Sequence, residues 1–196
     1  VGVQLNIADL GQIVLLVQSE IGYRNLSALV SIAHLESRDT HQPAISMSDL
    51  THTATEGLIC LSGGIRGGIG RALLTGKTAE ARTLAQTFLD IFGDRFYIEI
   101  QRHHLPDEQR SEEYLLDIAY DLGIPIVATN DAYFLKRDMH LAHDALLCIA
   151  AGRYISETDR RTETPDHYFK TAAEMEDLFS DLPEAIENTS VIARRC

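Results

Sequence analysis

Residues 96–135 read FYIEIQRHHLPDEQRSEEYLLDIAYDLGIPIVATNDAYFL. The first six form a short β-rich run in which Glu99 points to the face opposite Ile98 and Ile100, and Gln101 and His103 follow Glu99 in the alternation. The middle begins with acids at Asp107 and Glu108, sets Tyr114, Leu115, Ile118 and Leu122 on one face at helical spacing, and stops at Gly123. Ile124, Ile126 and Val127 then open a second apolar run, which ends in a carboxylate, Asp131, where the chain must turn. An apolar strand bounded by helices suits a parallel sheet, and in α/β folds the carboxyl ends of such strands are where ligands are held. Asn130-Asp131 has a second reading, as an Asx turn or the cap of the next segment.

The alternation extends outward on both sides. Strands are expected over Val1–Ile7, Ile13–Val17, Gly57–Leu61, Phe96–Gln101 and Ile124–Thr129. Between them YRNLSALVSIAHL (23–35) places Leu26, Leu29, Val30 and Ala33 at helical spacing, and TAEARTLAQTFLDIFGD (78–94) carries Ala81, Leu84, Ala85, Phe88, Leu89 and Phe92 before Gly93 stops it. The fold class is therefore α/β, with parallel strands joined by crossover helices.

Beyond Asp131, DMHLAHDALLCIAAG (138–152) is another helix, and RYISETDRRTETPDHYF (153–169) is polar and without periodicity. TAAEMEDLFSDLPEAIENTSVIARRC (171–196) opens with a capping box at Thr171 and Glu174 and holds two short helices split at Pro183. The organisation expected is an α/β part over 1–152, a polar connection over 153–167, and a helical segment over 168–196 leading elsewhere.

With 196 residues, 45% of them hydrophobic, the chain can bury the core of one domain or a large part of one. No stretch approaches the ~20 apolar residues that cross a bilayer. The amino terminus VGVQLNIADLG has no initiator Met and no leader pattern, so the sequence reads as cut from something longer. Cys60, Cys148 and Cys196 are odd in number and lack C-x-x-C spacing, which suits a reducing, cytoplasmic setting and opposes a disulfide scaffold or zinc knuckle. A net charge of -12 repels polyanions, so tight nucleic-acid binding by the whole chain is not expected. Arg66 with Arg71, and Arg160 with Arg161, are local exceptions small enough to be solvated surface.

LSGGIRGGIGRALL (61–74) follows a strand and opens a helix, where backbone amides can approach an anion. No Lys-Ser or Lys-Thr follows Gly70, and the glycine spacing fits no dinucleotide fingerprint, so tight-turn glycines are the better reading. His140 and His143 have a metal-capable spacing on the expected helix, but no further ligand lies at a conventional distance and Asp144 can instead orient one ring. The line Glu99, Gln101 and His103 either faces a polar cleft beside Asp131 or forms a hydrogen-bond network at the end of the sheet. There is no G-x-S-x-G elbow and no H-E-x-x-H motif.

The runs GLICLSGGIRGGIGRALLTG, DRFYIEIQRHHLPDEQ, GIPIVATNDAYFL, AHDALLCIAAG and EMEDLFSDLPEAIENTSVIARRC, in this order, resemble the later part of the polymerase-and-histidinol-phosphatase (PHP) domain of the bacterial DNA polymerase III alpha family, the replicative family C polymerases. The resemblance implies a distorted (β/α)7 barrel of parallel strands and outer helices, present here in part and followed by a helical arm toward the palm. It implies a metal cluster in members that keep the ligands, at positions occupied here by Gln4, Gln12, Gly64, Asp131 and Tyr133. Asp131 alone of these five retains a ligating side chain, so no metal and no catalytic residue is expected in this piece, with Glu99 and His103 as a possible polar cleft. The magnesium of polymerisation would sit in the palm, outside this chain. The partners implied are the rest of the polymerase chain, a proofreading exonuclease subunit, and primer-template DNA through other domains, with no membrane. An active metal-dependent phosphoesterase or exonuclease is the competing reading.

Overall fold

The protein is described by a computed structural model covering residues 1–36 and 42–196. β1 (Gly2–Ile7) and β2 (Gly11–Val17) form an antiparallel hairpin. Its turn holds Asp9 at φ 63, a left-handed conformation that short polar side chains tolerate. Ser19 then caps α1 (Glu20–Leu35), its hydroxyl accepting from the Gly22 amide at 3.2 Å. β3 (Ala44–Ile45) and a single-turn helix, α2 (His52–Thr55), lead to β4 (Leu58–Leu61). α3 (Gly68–Leu74) and α4 (Thr78–Phe92) precede β5 (Phe96–Gln101), and α5 (Pro106–Leu122) precedes β6 (Ile126–Thr129). α6 (His140–Ala151), α7 (Ala172–Leu178) and α8 (Pro183–Arg195) follow. The Thr171–Glu174 capping box is present, with the Glu174 amide donating to the Thr171 hydroxyl.

Among the described residues six strands form one sheet in the order β3-β1-β2-β4-β5-β6. Pairing is parallel for β1–β3, β4–β5 and β5–β6. The fully parallel sheet expected from the sequence is corrected at β2, which runs antiparallel to β1 and to β4. The reason is the length of the Ala8–Leu10 turn: a parallel crossover takes a dozen or more residues, and three can only reverse the chain. β3 escaped the periodicity because two residues carry none.

Strand alternation divides the interior in two. Ile13, Leu15, Leu58, Cys60, Phe96, Ile98, Ile100, Ile126 and Ala128 point to the helix-covered face, where they bury with Leu29, Phe88, Phe92 and Ile118. Phe88 and Phe96 set their rings 5.4 Å apart, tilted by 33°. On the other face, Ile59, Leu61, Tyr97 and Val127 form a smaller apolar group with Ile192 of α8. α8 is tied to the sheet by the Asn188 side-chain amide, which donates to the Ile126 carbonyl at 2.8 Å. Segment 168–196 thus lies on this sheet, with Phe179, Leu182 and Ala185 in the main core. Further along the same strands, toward their carboxyl ends, that second face becomes polar: Glu99 and Gln101 follow Tyr97, and Thr129 follows Val127.

Candidate functional site

The site begins with the glycine turn after β4. Gly63 and Gly64 take φ of 82 and 54, so the chain turns back as soon as the strand ends. A Cβ at Gly67 would lie 1.8 Å from the Ser62 carbonyl oxygen, so only glycine lets the loop close on itself. Glu99 secures it: its Oε2 accepts from the Gly63 amide at 3.0 Å, while its own amide donates to the Ser62 hydroxyl at 2.9 Å. The closed loop carries Arg66 over the polar end of the sheet.

That end holds an open cavity of about 260 Å³ whose lining includes Gln4, Arg66, Glu99, Gln101, Thr129 and Asp131. The Glu99 Oε1 accepts from the Thr129 hydroxyl at 2.5 Å and the Gln101 amide at 3.2 Å. Burial raises the Glu99 pKa above the ordinary carboxyl value, and these donors only reduce the rise. Gln4 and Gln12 sit diagonally across the hairpin, and the Gln4 Nε2 donates to the Gln12 Oε1 at 2.7 Å.

Asp131 is held by a cation. Arg66 Nη1 lies 3.5 Å from Asp131 Oδ2 and donates to the Tyr133 hydroxyl at 2.7 Å, and that hydroxyl donates to Asp131 Oδ2 at 2.9 Å. The other Arg66 nitrogen is 3.6 Å from Glu163, which also binds Arg161 at 2.5 Å. Burial opposes the Arg66 charge, yet Tyr133, Asp131 and Glu163 outweigh it and its pKa is raised. The Tyr133 pKa is raised as well, by burial first and by Asp131, against the pull of Arg66.

Below this group lies a histidine stack. His103 and His167 place their rings 4.0 Å apart at 9°. His103 bonds Glu108 through Nδ1 at 2.7 Å and Asn130 through Nε2 at 3.3 Å. Glu108 Oε2 also accepts from the backbone amides of His103 at 2.6 Å and of Leu105, the N-cap residue, at 3.3 Å, so it caps the start of α5 while orienting the ring. The expected line of Glu99, Gln101 and His103 is therefore divided: Glu99 and Gln101 reach the cavity beside Asp131, whereas His103 does not line it and serves the buried network.

His140 and His143 do not converge on a ligand. The His140 Nε2 donates to the Glu163 carbonyl at 2.7 Å, and His143 lies against the rings of Tyr133 and Phe134 at 5.5 and 5.4 Å. Asp144, expected to orient one of those rings, instead binds Arg160 through both oxygens at 2.5 and 2.8 Å. Sequence reading missed Arg66 as the partner of Asp131, and it missed Glu163 and His167 altogether. Their stretch has no periodicity and meets residue 131 only through tertiary folding. The Arg in the glycine-rich turn 62–68 was the one available signal.

The residues at the five positions where the resemblance implies ligands do not fit a metal cluster. Gln4 and Gln12 satisfy each other, and Tyr133 is engaged on both sides. A Cβ at Gly64 would meet the Gln101 Oε1 at 2.7 Å. The one carboxylate among the five already has a guanidinium beside it. Neutral amides and a neutral phenol are poor donors to a divalent ion. Among the described residues, no three His, Cys, Asp or Glu gather closely enough to hold one.

Comparison with known proteins agrees with this architecture. The chain is 49% identical over 184 residues to the DNA polymerase III subunit alpha of Caulobacter vibrioides, an alignment covering 94% of this chain and 16% of that protein. It is 45% identical over 199 residues to the Rickettsia bellii subunit, covering 100% of this chain and 17% of that one. The Pseudomonas fluorescens subunit is 42% identical over 188 residues, covering 95% and 16%. The chain thus spans about a sixth of the length of these relatives. Residues 1–103, more than half of the 196, match the PHP domain family, and on that match, with a mixed sheet whose polar cleft opens at the carboxyl ends of its strands, the chain belongs to the PHP domain family.

Proposed function

We propose that this chain is a structural unit of a bacterial DNA polymerase III alpha subunit, a PHP module that binds no metal, performs no catalysis, and acts in chromosomal replication by contact with the rest of the alpha chain and with a proofreading exonuclease subunit. The observation that carries the proposal is the Arg66 guanidinium at 3.5 Å from Asp131, bridged to it by Tyr133. A cation bonded to the sole carboxylate of the ancestral ligand positions does the electrostatic work of a metal without offering an open coordination position. Polymerisation and its magnesium would belong to a palm outside these residues, and primer-template DNA would meet other domains, as the charge of -12 supports. A cytoplasmic location goes with that role.

The test is elemental analysis after dialysis against zinc or manganese, together with hydrolysis of bis(4-nitrophenyl) phosphate. The expected result is sub-stoichiometric metal and no hydrolysis, in the wild type and in Asp131→Asn alike. Near-stoichiometric metal that disappears in Asp131→Asn would overturn the reading in favour of a working phosphoesterase.

A further inference from the structure

α6 is built inside out. A surface helix ordinarily turns its apolar stripe to the core and its polar side chains to water. Here Leu141, Ala142, Ala145, Leu146, Ile149 and Ala150 occupy one continuous arc of about 180°, following the ~100° step per residue, and that arc faces outward. Leu141 and Ile149 are each 76% exposed and Leu146 is 63% exposed. The polar side chains point inward: His140 to the Glu163 carbonyl, Asp144 to Arg160, and His143 to the rings of Tyr133 and Phe134. Beyond the helix, Tyr154 and Ile155, 76% and 62% exposed, lengthen the apolar surface.

We propose that this outward face of α6, with Tyr154 and Ile155, is where the module docks permanently against the remainder of its own polypeptide. The inference rests on the reading above that the chain is one part of an alpha subunit. Two observations select this occupant. The face carries no charged residue along the helix, which is the chemistry of an obligate interface, resembling a core cut in half; a surface that partners leave and rejoin keeps more polar groups and stays soluble when empty. The relatives also carry more than four-fifths of their length outside the matched region, so a large covalently attached partner is at hand. Attachment in the same chain raises its effective concentration far above that of a separate subunit.

Residue-resolved hydroxyl-radical footprinting of the full alpha chain and of the 196-residue chain tests this. Oxidation of Leu146 and Ile149 is expected to fall at least about five-fold in the full chain. Leu146→Asp with Ile149→Asp is expected to lower the melting temperature of the full chain and leave that of the 196-residue chain unchanged. Equal oxidation in both chains overturns the proposal. Protection that requires added exonuclease subunit overturns it, as does protection of the 196-residue chain that grows with concentration, which would assign the face to a second copy. Metal content and phosphodiester hydrolysis report on the cleft and not on this face, so a live metal site would overturn the proposed function while the footprint is scored separately.

Discussion

Arg66 and Asp131, 65 positions apart in sequence, bring guanidinium and carboxylate to 3.5 Å with the Tyr133 hydroxyl bonded to both. Removing the cation leaves Asp131 with the Tyr133 hydroxyl and no guanidinium, while Glu163 keeps Arg161. Arg66→Leu is expected to cost about 1 kcal/mol, the scale of a partly exposed pair, read from the urea midpoint. Arg66→Lys should recover part of it, because the charge returns without the planar fork.

Placing a thiol at Gly64, one of the five positions where the resemblance implies a ligand, should not create a metal site. Gly64 lies at φ 54, and its Cβ would press on the Gln101 Oε1 at 2.7 Å. Gly64→Cys is therefore expected to destabilise the fold by about 2 kcal/mol, from left-handed backbone strain and displaced Gln101, with metal content unchanged. Thermal unfolding and elemental analysis of the same sample measure both.

Phe179 is fully buried between the helical segment and the main core, and the Arg102 guanidinium lies 4.6 Å from its ring centroid. Arg102 in turn binds Glu112 and Asp181 at 2.5 and 2.6 Å. Phe179→Ala is expected to cost about 3 to 5 kcal/mol, since it opens a cavity and removes the ring packed against the guanidinium. A loss well under 1 kcal/mol by chemical denaturation would show that segment 168–196 is not integral to the fold.

Stability should fall with acid through His167. Burial, then the neighbouring His103, lowers the His167 pKa below its ordinary 6.5, against weaker opposing pulls from Glu163, Thr164 and Asp131. The unfolded chain therefore takes up this proton first. The contribution is complete above about pH 6.5 and is lost as the pH falls through the lowered folded value. Glu99, whose pKa is raised, acts in the opposite direction, its contribution fading as the pH rises. Urea midpoints of wild type and His167→Gln separate the two: between pH 7 and about pH 5 the wild type should lose more stability than the variant.

DNA should be a poor ligand for these residues alone. With a net charge of -12, with Arg66, Arg160 and Arg161 each already paired to a carboxylate, and with Arg71 bonded to the Leu10 carbonyl, little free cationic surface remains at the places the sequence singled out. Fluorescence anisotropy with a primer-template at ~150 mM salt is expected to give a dissociation constant above about 1 μM, and primer extension should be absent.

Local chemistry was legible because it acts over a few residues. Apolar spacing located α1, α4 and α5; Gly93 and Gly123 marked the ends of two of them; Thr171 and Glu174 marked a helix start; the glycine run after β4 read as a turn. Alternation along β5 also foretold that Glu99 and Gln101 would share a face. Strand direction was not legible at β2, since hydrophobic pattern reports which face is buried and not which way a neighbour runs.

The sequence by itself determined that this is an α/β chain in which a carboxylate, Asp131, follows an apolar strand where the chain turns, because side-chain identity and periodicity are properties of the chain before it folds. Tertiary structure decided what that carboxylate does. The Gly63–Gly64 turn aims Arg66 at it, and the aperiodic stretch around Glu163 and His167 returns over the strand ends to complete the polar cluster. It also turned α6 so that its polar residues face inward and Leu141, Leu146 and Ile149 outward, a choice no helical spacing can announce, since an amphipathic pattern shows that a helix has two faces and packing alone assigns them.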